Sequence, residues 1–181
     1  MEYLHWDEKK IDESDDINKL YDKGYVFTRI EKGIMHQTRS VRIDISRFNL
    51  TSENRRILRK GENIMMEIIN IPYQDYNWKI GKMAKDFYDK KANGAFSANK
   101  IKELITTEDN FNTLFKFSDN VSDMGYAISF KNNEMIHYCY PFYEIEKSMK
   151  DMGLIMMNKV INFAKENNHK YVYLGSLQRP S

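Results

Sequence analysis

The order of the sequence patterns between residues 113 and 174 restricts the fold more than any other feature of this chain. Three segments rich in apolar, aromatic and β-branched residues predict successive strands at residues 113–117, 124–130 and 135–140. A long helix then precedes a last strand at residues 171–174. Short connections predict antiparallel pairing of the first three strands, whereas a helical crossover predicts a parallel neighbour. We therefore expect an α+β protein with a mixed, mainly antiparallel sheet and flanking helices.

The region before residue 113 also shows helical and strand patterns. They predict helices at residues 14–22, 52–60, 76–91 and 98–106, and strands at residues 25–30, 40–45 and 63–71. Ser14 is the expected N-cap of the first helix. For the long C-terminal helix, helical spacing predicts an apolar face made of Leu154, Met157, Val160, Ile161 and Ala164.

Length and composition limit the class of protein. The chain has 181 residues, enough for the single domain that we expect over residues 1–181. Charged residues make up 30% and hydrophobic residues 41%, as is typical of a soluble globular protein. It shows no apolar run that could cross a bilayer and no secretory signal, and its one cysteine, Cys139, excludes an internal disulfide. We therefore expect a cytoplasmic protein without a membrane partner or a metal, and a solvated acidic segment at residues 1–23.

Positive charge is concentrated at residues 38–60. This segment holds seven Arg or Lys residues and two acidic ones, a net charge of +5, whereas the whole chain carries +2. On the predicted helix, Arg55 and Arg59 share one face, and Arg56 and Lys60 form the adjacent row. Such a strip can follow a phosphate backbone, so it predicts a polyanionic partner. The alternative is an ordinary solvated helix face.

Two blocks of residues resemble a known family. The first is the segment QTRSVRIDISRFNLTSENRRILRK. The second combines Tyr138 and Tyr140 on a strand, Asp151-Met152-Gly153 at the long helix, and Tyr171-Val-Tyr-Leu-Gly175 on the last strand. From about residue 33 to residue 175, this arrangement resembles the arginyl-tRNA–protein transferase family and its bacterial leucyl-transferring relatives. The resemblance implies a GNAT-like (acyl-CoA N-acyltransferase) fold.

The resemblance also implies a reaction. Members of the family move an amino acid of the arginine or leucine class from aminoacyl-tRNA onto the N-terminal amine of a protein or peptide. The chain would then be an aminoacyltransferase that uses aminoacyl-tRNA as its donor substrate and no cofactor. Such a reaction needs a positioned amine and a stabilised oxyanion, but no covalent intermediate. Cys139 is accordingly interpreted as a small packed apolar residue.

Two alternatives are open on the same fold. An acetyl-CoA-dependent N-acetyltransferase would hold a pyrophosphate at the start of the long helix. In this chain Ile155 is predicted to obstruct that pyrophosphate, and Asp151 to repel it. A non-catalytic tRNA- or RNA-binding module would instead keep the scaffold without the chemistry.

The reacting centre is expected where the two parallel strands of a GNAT fold separate. There Tyr140 or Tyr173 would donate a hydrogen bond to the oxyanion and His137 would act as a base, although a lone histidine on a strand is more often structural. The expected substrate-binding residues are Asp151, Gly153, Gly175, Ser176, Gln178 and Arg179, of which the last two alternatively belong to a frayed tail. The residues expected to bind tRNA are Arg39, Arg42, Arg55, Arg56, Arg59 and Lys60. For Arg42, an ion pair with Asp44 is an equal alternative.

The chain departs from the family pattern at three places. It lacks the family's N-terminal cysteine cluster, so no acceptor preference is implied. An insertion, FYEIEKSMK, follows Tyr140-Pro141. GNAT domains continue with further strands where this chain stops, so we expect a truncated C-terminus and an exposed sheet edge at residues 171–174. This predicts a homodimer that covers the edge, or poor stability, and leaves the activity of the shortened chain open.

Overall fold

The computed structural model describes residues 5–146 and 149–177 of the chain. A single turn of 3-10 helix lies at Ile45–Arg47, between the fourth strand and the second helix. In chain order, the strands and helices are β1 (Asp7–Lys10), α1 (Ile17–Asp22), β2 (Tyr25–Phe27), β3 (Ile34–Gln37), β4 (Ser40–Asp44), α2 (Ser52–Lys60), β5 (Met65–Asn70), α3 (Trp78–Lys91), α4 (Ala98–Thr106), β6 (Thr113–Ser118), β7 (Asp123–Lys131), β8 (Met135–Tyr143), α5 (Met152–Glu166) and β9 (Tyr171–Ser176).

Six of these strands form one large sheet, in the order β4-β9-β8-β7-β6-β5. Its neighbouring strands are antiparallel except for β8 and β9, which run parallel because α5 crosses over between them. The α+β class, the mixed sheet and the flanking helices expected from the sequence are thus confirmed. A smaller antiparallel sheet has the order β1-β3-β2.

The expected exposed edge at residues 171–174 is wrong. Strand β4 pairs antiparallel with β9, with Ile43 opposite Val172, and the Ile45 N–H donates to the carbonyl of Lys170 at 3.0 Å. Strand β4, from the first third of the chain, thus covers the edge of β9 that the sequence predicted to be exposed, and β9 lies inside the sheet. The reason for expecting a homodimer at this edge disappears with it.

The N-terminal segment is also more ordered than expected. Residues Asp7–Lys10 form β1, which pairs with β3 over four residues, although its DEKK sequence has no strand pattern. The N-cap of α1 is Asp16 and not Ser14, because the Asp16 side chain accepts the N–H of Lys19 at 3.2 Å.

Apolar side chains cover both faces of the large sheet. One cluster packs α1, the small sheet, α3 and α4 against one face, and the other packs α5 against the opposite face. The predicted face of α5 is correct for Val160, Ile161 and Ala164, but Leu154 is 44% exposed, and Ile155 and Met156 are buried in its place. The first turns of α5 are apolar on every side, so spacing alone could not select the buried face.

Candidate active site

The two parallel strands separate partway along their length. Their pairing runs from Met135 opposite Tyr171 to His137 opposite Tyr173, although β8 continues to Tyr143 and β9 to Ser176. A cavity of about 410 Å³ lies beyond the last pair. Residues 26–30 and 95–96 complete its wall, together with side chains of the two separating strands.

A β-bulge in β8 sets the direction of the side chains in the cavity. Ser129 of β7 lies opposite Tyr138 and Ile128 lies opposite Tyr140, so Cys139 is an extra residue on β8. Strict alternation would place Tyr140 on the same face as Tyr138, which packs in the cluster of α5. The bulge shifts the alternation by one residue, so Tyr140 lines the cavity together with His137.

Tyr140 presents a hydroxyl group to the cavity. Its oxygen accepts the backbone N–H of Arg29 at 3.0 Å, and the thiol of Cys139, a weak acceptor, lies next to it. The ring packs edge-on against Phe96 and Phe111, at centroid distances of 4.9 and 5.3 Å. Burial raises the pKa of Tyr140 well above its ordinary value, so the group stays protonated and can donate a hydrogen bond.

His137 is a buried neutral imidazole. Its Nδ1 lies 2.9 Å from the hydroxyl of Tyr21, whose oxygen also accepts the N–H of Phe27 at 3.4 Å. Burial lowers the pKa of His137 to about 4. A ring with so low a pKa is a weak proton acceptor, and its Nδ1 already faces the Tyr21 hydroxyl, so the arrangement argues against the expected base.

Arg29 and Phe96 also line the cavity, although no sequence pattern indicated them. The guanidinium carbon of Arg29 lies 4.2 Å from the centre of the Phe96 ring, a cation–π contact in the cavity wall. Phe96 comes from the connection between α3 and α4, and Arg29 follows β2. No local pattern links such residues to β8, because only the tertiary fold brings them together.

The hydroxyl of Tyr173 points away from the cavity. It accepts from Arg42 Nη1 at 3.0 Å and lies 3.5 Å from Asp22. Arg42 also pairs with Asp22 and lies over the ring of Tyr171 at 4.0 Å. The alternative ion pair between Arg42 and Asp44 is wrong, because Asp44 instead accepts the N–H and the hydroxyl of Ser46.

Gly175 and Ser176 line the cavity at the end of β9. Gly175 has φ +96°, a conformation that favours glycine, and a Cβ there would meet no atom within 4 Å. The Ser176 hydroxyl lies 2.7 Å from that of Thr38. Gln178 and Arg179 lie outside the described residues. The structure thus brings together four of the expected site residues: His137, Tyr140, Gly175 and Ser176.

Asp151 and Gly153 lie at the start of α5, outside the cavity wall. Asp151 pairs with Lys60 at 2.9 Å and with Arg56 at 3.8 Å, which lowers the pKa of its carboxyl group. The predicted obstruction of a ligand by Ile155 is wrong, because its side chain is fully buried against Gly61 at the end of α2. A Cβ on Gly61 would lie 2.3 Å from the Ile155 side chain, which shows how closely the two helices approach.

The basic strip of α2 is partly neutralised. Arg56 donates to Glu53 at 2.7 Å, and both Arg56 and Lys60 pair with Asp151. The adjacent row of Arg55 and Arg59 is exposed. Arg39, on the turn before β4, is also exposed, and its guanidinium lies 5.7 Å from the ring of Trp6.

The side chains of His5, Glu8 and His36 cluster on the small sheet. Glu8 lies 2.9 Å from His5 and 3.6 Å from His36. The two imidazole rings stack at 4.5 Å with only 21° between their planes. A bound cation lies in the plane of each imidazole that ligates it, so one ion does not suit both rings as they are placed. We therefore do not assign a metal to this cluster.

Solved structures show what this fold resembles. The C-terminal domain (DUF2156) of a putative lysylphosphatidylglycerol synthetase from Agrobacterium fabrum has a TM-score of 0.59 and 11% identity, over 91% of this chain and 52% of that one. L-PGS from Bacillus licheniformis has a TM-score of 0.60 and 12% identity, over 92% of this chain and 52% of that one. The chain thus spans about half the length of these structures, and identities this low establish similarity of fold alone.

Other comparisons bear on the same question. Neither a scan against protein-family models nor a search of curated proteins gives a match. Within residues 5–146 and 149–177, no helix has the length and apolar character needed to cross a membrane.

The structural similarity corrects the family and the function expected from the sequence. The neighbours are domains of lysylphosphatidylglycerol synthetases, not arginyl-tRNA–protein transferases, so the transfer to a protein N-terminus is wrong. The acetyl-CoA and RNA-module alternatives find no support either. The residues that suggested the family lie on β4, α2, β8, α5 and β9. Four of the basic residues among them pair with carboxylates: Arg42, Arg47, Arg56 and Lys60. Their pattern is therefore compatible with any sequence that forms this sheet and these helices, and it does not identify one family.

Proposed function

We propose that the chain carries a transferase that moves an aminoacyl group from aminoacyl-tRNA onto a hydroxyl group of a phosphatidylglycerol-like lipid. The observation that carries this proposal is the cavity between the separating strands, where Tyr140 offers a protonated hydroxyl. The substrate class comes from the two synthetase structures, which match over nine-tenths of the chain and by name form an aminoacylated lipid. The lipid replaces the protein acceptor that the sequence suggested, and charged tRNA places the reaction at the cytoplasmic side of a membrane.

A GNAT-like scaffold is part of the proposal. The antiparallel run β6-β7-β8, the crossover helix α5 and the parallel strand β9 have the expected order. The bulge at Cys139 and the divergence beyond His137 support the same assignment. In such a scaffold the gap between the parallel strands receives the acyl donor.

The reaction would be a transesterification in which no cofactor takes part. The lipid hydroxyl oxygen bonds to the aminoacyl carbonyl carbon, the bond from that carbon to the terminal ribose oxygen breaks, and the hydroxyl proton ends on the ribose. The carbonyl oxygen carries negative charge in the tetrahedral intermediate. The O–H of Tyr140 can stabilise that charge, because its own oxygen is held by the backbone of Arg29.

The transfer itself is the test of this proposal. We expect the protein, mixed with total tRNA charged with labelled amino acids, to place label in the lipid fraction of vesicles that contain phosphatidylglycerol. Vesicles of phosphatidylcholine alone should stay unlabelled, because the choline headgroup has no hydroxyl group to accept the aminoacyl ester. Label in neither set of vesicles would refute the proposed function, and label in an added acceptor peptide would refute the lipid acceptor.

The exposed row of α2 is proposed to hold the tRNA. Lys60 and Arg56 contact Asp151 at the start of α5, and α5 begins beyond the carboxyl end of β8, the end of the sheet where the cavity lies. A backbone that follows Arg55 and Arg59 would therefore approach the end of the sheet that holds the cavity. Because Arg56 and Lys60 pair with Asp151, they hold α2 against the start of α5 and so fix the position of Arg55 and Arg59.

Reversing the two outer charges should weaken tRNA binding. For Arg55→Glu with Arg59→Glu we expect a loss of roughly tenfold or more in affinity at about 0.1 M salt, and a salt dependence shallower by about two phosphate contacts. Filter binding at several salt concentrations measures both. The matched control is Lys82→Glu with Lys85→Glu on α3, which changes the net charge equally. Equal losses of tRNA affinity in the two double variants would show that only the overall charge matters. They would refute tRNA binding by Arg55 and Arg59.

A further inference from the structure

The charges in the cavity wall are unbalanced. Among the described residues that line it, Arg29 is the one formally charged side chain, and none is Asp or Glu. His137 is neutral, because its pKa is lowered to about 4. The remaining wall is apolar or carries hydroxyl and thiol groups.

Arg29 is fixed beside the reacting centre. Its guanidinium lies on one side of the Phe96 ring at 4.2 Å, and the same ring packs against Tyr140 at 4.9 Å. Its backbone N–H holds the Tyr140 hydroxyl at 3.0 Å. The positive charge thus acts on the Tyr140 hydroxyl, the group that would hold the aminoacyl carbonyl under the proposed function.

We propose that this cavity selects aminoacyl groups with uncharged side chains and rejects lysyl and arginyl groups. The inference rests on the proposed function and names its substrate class. A cationic side chain that leaves water needs a carboxylate partner, which the described residues of this wall do not offer. It would also meet the like charge of Arg29. An apolar side chain instead gains by burial against the Phe96 ring and the residues around it. The α-amino group is common to all aminoacyl esters and does not distinguish among them.

The proposal departs from what the similar structures suggest. Both are named for a lysyl product, and arginine was one of the two classes expected from the sequence. The proposed rejection of cationic side chains therefore follows from the residues of this cavity wall, and not from the similar structures.

Binding of stable donor analogues tests the selection directly. The probes are three forms of 3′-amino-3′-deoxyadenosine, acylated at the 3′ nitrogen with leucine, phenylalanine or lysine. Titration calorimetry measures their binding. We expect the leucyl or phenylalanyl amide to bind at least tenfold more tightly than the lysyl amide. Equal or tighter binding of the lysyl amide would overturn the proposal, and so would the absence of binding by all three.

Charge reversal in the wall supplies the second arm. Arg29→Glu should improve binding of the lysyl amide at least tenfold relative to the leucyl amide, and Arg29→Gln should do so to a smaller degree. Arg47→Glu, at an exposed site outside the cavity wall, is the matched control and should leave the ratio unchanged. Thermal unfolding of each variant confirms that it is folded. An unchanged ratio in a folded Arg29→Glu protein would refute the role of Arg29.

The transfer assay separates the two proposals. Lipid labelled by lysine as readily as by leucine would leave the proposed function intact and refute the selection. Labelling by no amino acid would refute the function, whatever the analogues show.

Discussion

Replacing Tyr140 by Phe is expected to lower the rate of aminoacyl transfer by roughly two to three orders of magnitude, the usual cost of one lost oxyanion donor. The variant keeps the ring, which packs against Phe96 and Phe111, so the cavity should keep its shape. The loss should appear in kcat, because the hydroxyl stabilises charge that develops only during the reaction. Single-turnover transfer at saturating charged tRNA measures it.

Tyr138 offers a matched control for Tyr140. Its hydroxyl is buried on the opposite face of the sheet, and it has no hydrogen-bond partner among the described residues. Tyr138→Phe therefore removes the same atom from the same strand without removing a bond, and both transfer and stability should be retained. A Tyr140→Phe protein that transfers as fast as Tyr138→Phe would contradict the role of Tyr140.

Acid is expected to destabilise the chain through His137, by about 3 kcal/mol between pH 6.5 and 4. The pKa of this imidazole is near 6.5 in the unfolded chain and about 4 in the folded one, because burial disfavours the charged ring. As the pH falls, the unfolded state binds the proton first, so the stability present above pH 6.5 is lost on the way to pH 4. Burial lowers the pKa values of His36 and His169 as well, and they add loss in the same direction.

Urea unfolding at a series of pH values checks this dependence. His137→Asn should be less stable at pH 7 but lose less stability on acidification, because the amide oxygen can accept from Tyr21 and does not titrate. A slope that His137→Asn leaves unchanged would contradict the assignment. Ring signals of His137 that titrate near pH 6.5 would contradict it independently.

Much of the fold could be predicted because its strands and helices carry strong local signals. The strand at residues 40–45, the helix at residues 52–60 and the run from β6 to β8 all appear in the structure close to their expected bounds. Strand β1 could not be predicted, because Asp7–Lys10 pairs through its backbone and has no apolar alternation. The place of β4 beside β9 was also missed, since strand order depends on contacts distant in sequence.

Only the cavity residues on strands β8 and β9 could be predicted from the sequence. His137, Tyr140, Gly175 and Ser176 follow from where parallel strands separate, which the order of elements already implied. The direction of Tyr140 depends on a bulge of one residue, which leaves no mark in a sequence of apolar and aromatic residues. Arg29 comes from another segment altogether. The basic helix and the Tyr-Leu-Gly strand suggested the wrong family because they describe elements that unrelated sequences can share.

The position of β9 has a consequence for how the protein is made. It is the last described strand in the chain, yet it lies between β8 and β4, and β4 is formed about 130 residues earlier. During synthesis both neighbours emerge before it, so the space between β8 and β4 stays open until β9 itself has been synthesised. Contacts so distant in sequence also slow folding. The walls of the cavity are completed by the same strand, so the cavity can form only after residues 171–176 have been translated.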